Sequence, residues 1–99
     1  MPNATVRSLP ALPSALTHEQ AHAFVLSCTT AMKAVQPQPG AVWAIEAAEL
    51  SHFDSAALAA LLAVHRLVKG RGETLQLAAM PQRLHDLATL YGVRDLLPT

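Results

Sequence analysis

The sequence predicts an α/β fold: a small mixed β-sheet with α-helices packed against it. Three observations carry this. A short apolar run, Ala41–Ile45, and an alternating segment, Thr74–Ala78, with Leu75 and Leu77 on either side of Gln76, have the patterns of strands. The stretches around them place apolar residues at three- and four-residue steps, the helical period. Leu and Ala dominate the apolar residues while aromatics make up only 4%, which favours helices on a modest sheet.

The chain has 99 residues, enough for one compact domain, and positions 1–99 are read as a single unit. With 52% of residues hydrophobic and 14% charged, the chain can bury a core, and global disorder is excluded. Formal net charge is zero, so no basic field exists to attract nucleic acid or anionic lipid. The longest apolar run, Ala56–Val64, ends at His65 and Arg66 and is about half the length of a membrane span. Met1–Arg7 does not show a charged region followed by an apolar core, so no secretory signal is expected. A lone cysteine, Cys28, cannot form an internal disulfide and fits a reducing, cytoplasmic setting.

Residues 1–16 are the least readable. Thr5-Val6-Arg7 can begin a strand, and Pro10 and Pro13 restrict the next stretch to an edge strand or a loop. Thr17–Val35 is predicted to be helical. Thr17 and Gln20 form a capping-box pattern, and Ala21, Phe24, Val25, Cys28, Met32 and Val35 make one apolar stripe. Pro37, Pro39 and Gly40 stop that helix. The run from Ala41 reads as a buried strand, and Ser51–Ser55 as a polar connection. A second helix is expected over Ser55–Lys69, closed by Gly70-Arg71-Gly72, and Thr74–Ala78 is the next strand. Pro81 suits a first helical position, Leu84, Leu87, Ala88 and Tyr91 form a core-facing stripe, and Gly92 ends that third helix. Leu96 and Leu97 are expected to pack back on the core. Strand, helix and strand from Val42 to Ala78 make a right-handed crossover unit.

The second helix has two unlike faces. At ~100° per residue, Ala57, Leu61, Val64 and Val68 share the side that should meet the sheet, with Leu58 and His65 at its border. The opposite side carries Ser55, Ala59, Leu62, Ala63 and Arg66 instead of the Lys, Glu and Gln of a solvated face. Small side chains let another helix approach closely, so this face reads as an interaction surface. The alternatives are that alanines fill an undemanding surface, or that another part of the chain covers it.

The segment Leu50-Ser51-His52-Phe53-Asp54-Ser55-Ala56-Ala57-Leu58-Ala59-Ala60-Leu61-Leu62 resembles the central signature of STAS domains, the sulphate-transporter and anti-sigma-factor-antagonist modules. Gly72, Leu75-Gln76-Leu77, Pro81 and Leu87–Val93 continue the likeness, which is good from about Ala41 onward and weak before Thr17. Leu96-Leu97-Pro98 resembles the MlaB-like branch, the STAS subunits of bacterial Mla phospholipid transporters. The resemblance implies the STAS (SpoIIAA-like) fold and a non-catalytic protein without a cofactor. It also implies a cytoplasmic location, peripheral to the inner membrane through the partner, and no membrane insertion of its own.

The implied partner is the MlaF-like ATPase subunit of an ABC transporter that moves phospholipid between membranes and maintains outer-membrane lipid asymmetry. Asp54 and Ser55 match the positions that serve docking in that branch. In the sigma-regulatory branch the matching hydroxyl is phosphorylated by an anti-sigma kinase, which makes Ser55 a possible phosphorylation site and an anti-sigma-factor antagonist the rival function. Ala56 and Ala57 depart from that branch, where another hydroxyl residue and Gly are usual, and Glu46 replaces a common Asp. From the residues alone, two readings of this turn stand side by side. Ser55 sits where backbone N–H groups favour a phosphate, or Asp54 caps the helix and Ser55 is an ordinary first-turn residue.

Other motifs carry little. His18-Glu19-Gln20-Ala21-His22 spells H-E-x-x-H, but it occupies a capping turn without a third ligand at a recognisable spacing, so no metal is expected. Cys28 lies on an apolar stripe, where a thiol is inert. Gly70-Arg71-Gly72 comes after a helix instead of opening one, so no nucleotide loop is expected.

Overall fold

A computed structural model describes residues 5–98. The stretch read for a signal sequence falls mostly at positions 1–4, outside the described residues. Five strands, β1 (Val6–Ser8), β2 (Ala15–Leu16), β3 (Val42–Glu46), β4 (His52–Phe53) and β5 (Thr74–Ala78), alternate with helices α1 (His18–Lys33), α2 (Ser55–Gly70) and α3 (Gln82–Leu90). A 3₁₀ turn, Arg94–Leu96, comes last. The larger sheet has the order β1-β3-β5, and β2 pairs with β4 in a second small ladder. The α/β class is the expected one. Every described ladder is parallel, where a mixed sheet was expected.

Parallel neighbours need crossovers, and α1 and α2 supply them. Trp43 is in register with Leu75 and Ile45 with Leu77, which puts Trp43, Ile45 and Leu75 on one buried face. Phe24, Cys28 and Met32 from α1 and Ala57, Leu61, Val64 and Val68 from α2 complete one core with them. Each large aliphatic side chain buried there stabilises the fold by about 1.5–3 kcal/mol.

The helix boundaries reflect local chemistry. The Thr17 capping box forms as expected, with the Gln20 side chain accepting from the Thr17 N–H at 2.9 Å. The first helix ends at Lys33, so Val35, placed on its stripe from spacing, is outside it and exposed. Gly72, at φ +75°, turns the chain out of α2, and Pro39 lies 3.6 Å from where its Cβ would stand. Pro81 is the residue before α3, one position earlier than expected. Its missing N–H costs nothing there.

The segment that was hardest to read supplies core residues. Leu9, Leu12 and Leu16 are buried. The N–H groups of Leu9 and Leu12 donate to the Ala44 and Glu46 carbonyls, both at 2.9 Å, so the chain runs beside β3 past the end of β1. Pro10 and Pro13, which have no N–H, occupy positions at an edge where none is demanded. Within Ser51–Ser55, expected to be only a connection, β4 pairs with β2. Leu97 packs into the core as expected, whereas Leu96 is exposed because the 3₁₀ turn rotates it outward.

Below the C-terminal end of α2 lies a buried carboxylate, Glu73. One oxygen accepts from Arg7 Nη1 and the Gln38 N–H, each at 3.0 Å. The other accepts from Trp43 Nε1 at 2.9 Å and from Arg71 Nε. Arg71 also donates to the Met32 and Val35 carbonyls at 2.8 Å, tying off the end of α1. Burial alone would raise the Glu73 carboxyl. Hydrogen bonds from Gln38, Arg71 and Trp43, with the Arg71 charge, outweigh it and hold the pKa at about 2.

Candidate functional site

The outward side of α2 is built from its N-cap upward. Asp54 has extended backbone and its Oδ1 accepts from the Ala56 N–H at 2.8 Å, so it caps the helix. Its second oxygen lies 3.8 Å from His18 Nδ1, which brings the starts of α1 and α2 together. Ser55 is the first helical residue and is exposed.

Three open grooves run end to end along this side. The first, about 460 Å³, is lined by Phe53, Asp54, Ser55, Arg83, Asp86, Leu87, Leu90 and Tyr91. The Arg83 guanidinium lies 5.2 Å from the Phe53 ring centroid, a cation–π contact that fixes one wall. The second, about 180 Å³, is apolar apart from the Ser55 end: Leu58, Ala59, Leu62, Tyr91 and Val93. The third, about 300 Å³, combines Leu62 and Leu96 with His65, Arg66, Lys69 and Asp95. Ser55 and Tyr91 belong to both of the first two grooves, and Leu62 to the last two, so the three form one strip. The 3₁₀ turn is held against it by a 3.0 Å contact between His65 Nδ1 and the Leu96 carbonyl.

Asp54, Ser55, Ala59, Leu62 and Arg66 therefore lie together on this strip. Ala59 and Arg66 are exposed and Leu62 is half-buried. Ala63, grouped with them from helical periodicity, is half-buried and lines none of the three grooves. One turn further on, Leu67 lines a separate groove with Thr29, Met32 and Lys33 of α1. There α1 packs beside α2.

Apolar residues across the strip are exposed. Tyr91, expected in the core, is 57% exposed, and Leu90 and Leu96 are 79% and 59% exposed. α3 ends at Leu90 and Tyr91 is its C-cap, followed by Gly92 at φ +70°, so Tyr91 lies beyond the helical stripe. Leu84 and Ala88 occupy the core positions as expected. Among the other candidates, Cys28 is fully buried and burial pushes its thiol up to about 12, which keeps it protonated and unreactive. His18 and His22 lie on the first turns of α1, and the His18 side chain is largely open to solvent.

A strip with an apolar centre and polar ends suits a protein surface better than a small polar substrate. A family model described as "Mlab, STAS domain" matches residues 10–98. The chain belongs to the STAS domain family. The match reaches well ahead of the stretch where the motif likeness is strong, and takes in Leu12 and Leu16 of the N-terminal segment. No curated protein and no solved structure matches this STAS domain. STAS domains are in general non-enzymatic accessory or regulatory modules. Among the described residues no helix is long and apolar enough to cross a membrane.

Proposed function

We propose that this STAS domain is an accessory subunit of an Mla-like phospholipid ABC transporter, bound to the cytoplasmic face of the membrane through the transporter's ATPase. The observation that carries the reading is the strip along α2. Exposed Ala59 at its centre, flanked by Leu62 and exposed Tyr91, leaves an apolar surface open to close approach by a protein. The family model's description, which names Mlab, agrees with this branch. Ala56 and Ala57 support it too, since they leave Ser55 without a neighbouring hydroxyl. Asp54, Ser55, Ala59, Leu62 and Arg66 are the contact residues in this reading. The ATPase holds the nucleotide, other subunits handle lipid, and this subunit stabilises or tunes the assembly.

Affinity purification from the native cell, with mass spectrometry of the co-eluting proteins, tests the proposal. Co-elution of an ABC ATPase and its permease is expected. A kinase and a sigma regulator in their place, with an abundant phosphoform of Ser55 in the intact mass, would establish the anti-sigma-factor antagonist instead.

A further inference from the structure

The charge along the strip is unevenly committed. At its N-terminal end the carboxylates are already used: Asp54 caps α2, and Asp86 accepts from Gln82 Nε2 at 3.0 Å. At its C-terminal end Arg66 and Lys69 are exposed. Among the described residues the ion pairs are Arg7–Glu73, His18–Asp54 and Arg71–Glu73, so neither Arg66 nor Lys69 has a carboxylate within 4.0 Å, although Asp95 lines the same groove. Between the two ends the surface is small and apolar.

We propose that the partner element seated on this strip is an amphipathic helix, antiparallel to α2, with carboxylates in its first turn against Arg66 and Lys69 and apolar side chains over Ala59 and Leu62. The inference rests on the docking role proposed above and specifies its chemistry. Cations near the end of α2 already complement its own dipole. Carboxylates are favoured in the first turn of any helix, so the antiparallel arrangement satisfies both helices and opposes their dipoles. Ala59 permits the backbones to approach, as small residues do in helix pairs. From Ala59 to Lys69 the helix rises about 15 Å, so the docked segment has about three turns. An anionic bilayer is the poorer fit, because Asp54 and Asp86 on the same strip would face it and the chain has no net positive charge.

The test uses the full chain and the ATPase recovered in the purification above, with affinity measured by calorimetry at low and high salt. Arg66→Glu combined with Lys69→Glu should weaken binding about 100-fold at low salt, with less loss at high salt and an unchanged melting temperature. The neutral pair Arg66→Ala with Lys69→Ala should fall in between. Exchanging the acidic first-turn residues of the ATPase helix for Lys should restore binding to the Glu variant. If the charge reversal leaves affinity and salt dependence unchanged while Ala59→Glu abolishes binding, the helix assignment is overturned and the docking reading stands. If the wild-type protein does not bind the ATPase at all, both are overturned. Cosedimentation with phosphatidylglycerol vesicles that the charge reversal abolishes, without effect on ATPase affinity, would assign these cations to a membrane instead.

Discussion

At one end of α2 the polar groups are sealed in and matched; along its outward side the apolar groups are left in the open. Glu73 receives donors from Arg7, Gln38, Trp43 and Arg71, which come from four separate segments. Both arginines also lie over the Trp43 ring, at 5.3 and 5.8 Å from its centroid. The Glu73 carboxylate, with four donors around it, is closed to another molecule. On the strip, Leu90, Tyr91 and Leu96 face solvent, and Arg66 and Lys69 have no ion-pair partner among the described residues. A buried charge is tolerable only where the protein itself supplies its partners, whereas an exposed apolar strip gains most when a second protein supplies them. The first region accounts for a stable fold, and the second is the surface proposed to bind a partner.

Mutations should separate the two regions. The largest effect is expected from Leu61→Glu, which places an unpaired carboxylate at a fully buried site and should leave no cooperative thermal transition. Glu73→Gln should come next, destabilising by about 3 kcal/mol in denaturant unfolding, because Arg7 and Arg71 lose their counter-charge. Partner affinity, measured below the new midpoint, should be unaltered. A large loss of affinity would show that the two regions are not independent.

Acid should act through the same carboxyl. Its pKa is lowered from an ordinary 4.5 to about 2 on folding, so below 4.5 the unfolded chain binds the proton first. The stability it contributes is complete above that ordinary value and is lost as pH falls from about 4.5 toward 2. Unfolding midpoints measured across that window should fall more steeply for the wild type than for Glu73→Gln.

On the strip, Ala59→Glu should change the melting temperature by no more than about one or two degrees, a surface-sized effect, while weakening ATPase binding at least about tenfold. Ala63→Glu, at a half-buried position, should cost stability as well, and equal melting curves for the two variants would contradict the face assignment. Ser55→Ala should have the smallest effect, within about 0.5 kcal/mol on folding, since Asp54 provides the cap. A loss of stability near that of an N-cap deletion would give Ser55 a structural role.

The helices and the strands β3 and β5 were legible because their apolar patterns are regular and their ends carry caps and turn residues. The α2 core face could be read from period alone at Ala57, Leu61, Val64 and Val68. Period alone could not say that Ala63 is half-buried while Ala59, one turn before it, is exposed. Tyr91 was misplaced because α3 ends at Leu90, so the helical spacing had been carried one residue past the helix. Glu73 had no sequence signal, since its partners Arg7, Gln38, Trp43 and Arg71 are scattered along the chain and meet only in three dimensions. The two-residue ladder of β2 and β4 is too short to carry a period.

The all-parallel pairing has a consequence for how the chain assembles. Val6 pairs with Val42, Ala15 with His52 and Val42 with Thr74, so none of these ladders can close as a local hairpin. Each must wait for an intervening helix to form and swing back, and loop-closure entropy opposes every one before sheet contacts reward it. During synthesis β1 emerges long before β3, with Val6 and the leucines behind it unpaired. Refolding should therefore be slow for so small a domain, and α1 with its capping box is the element best placed to form early.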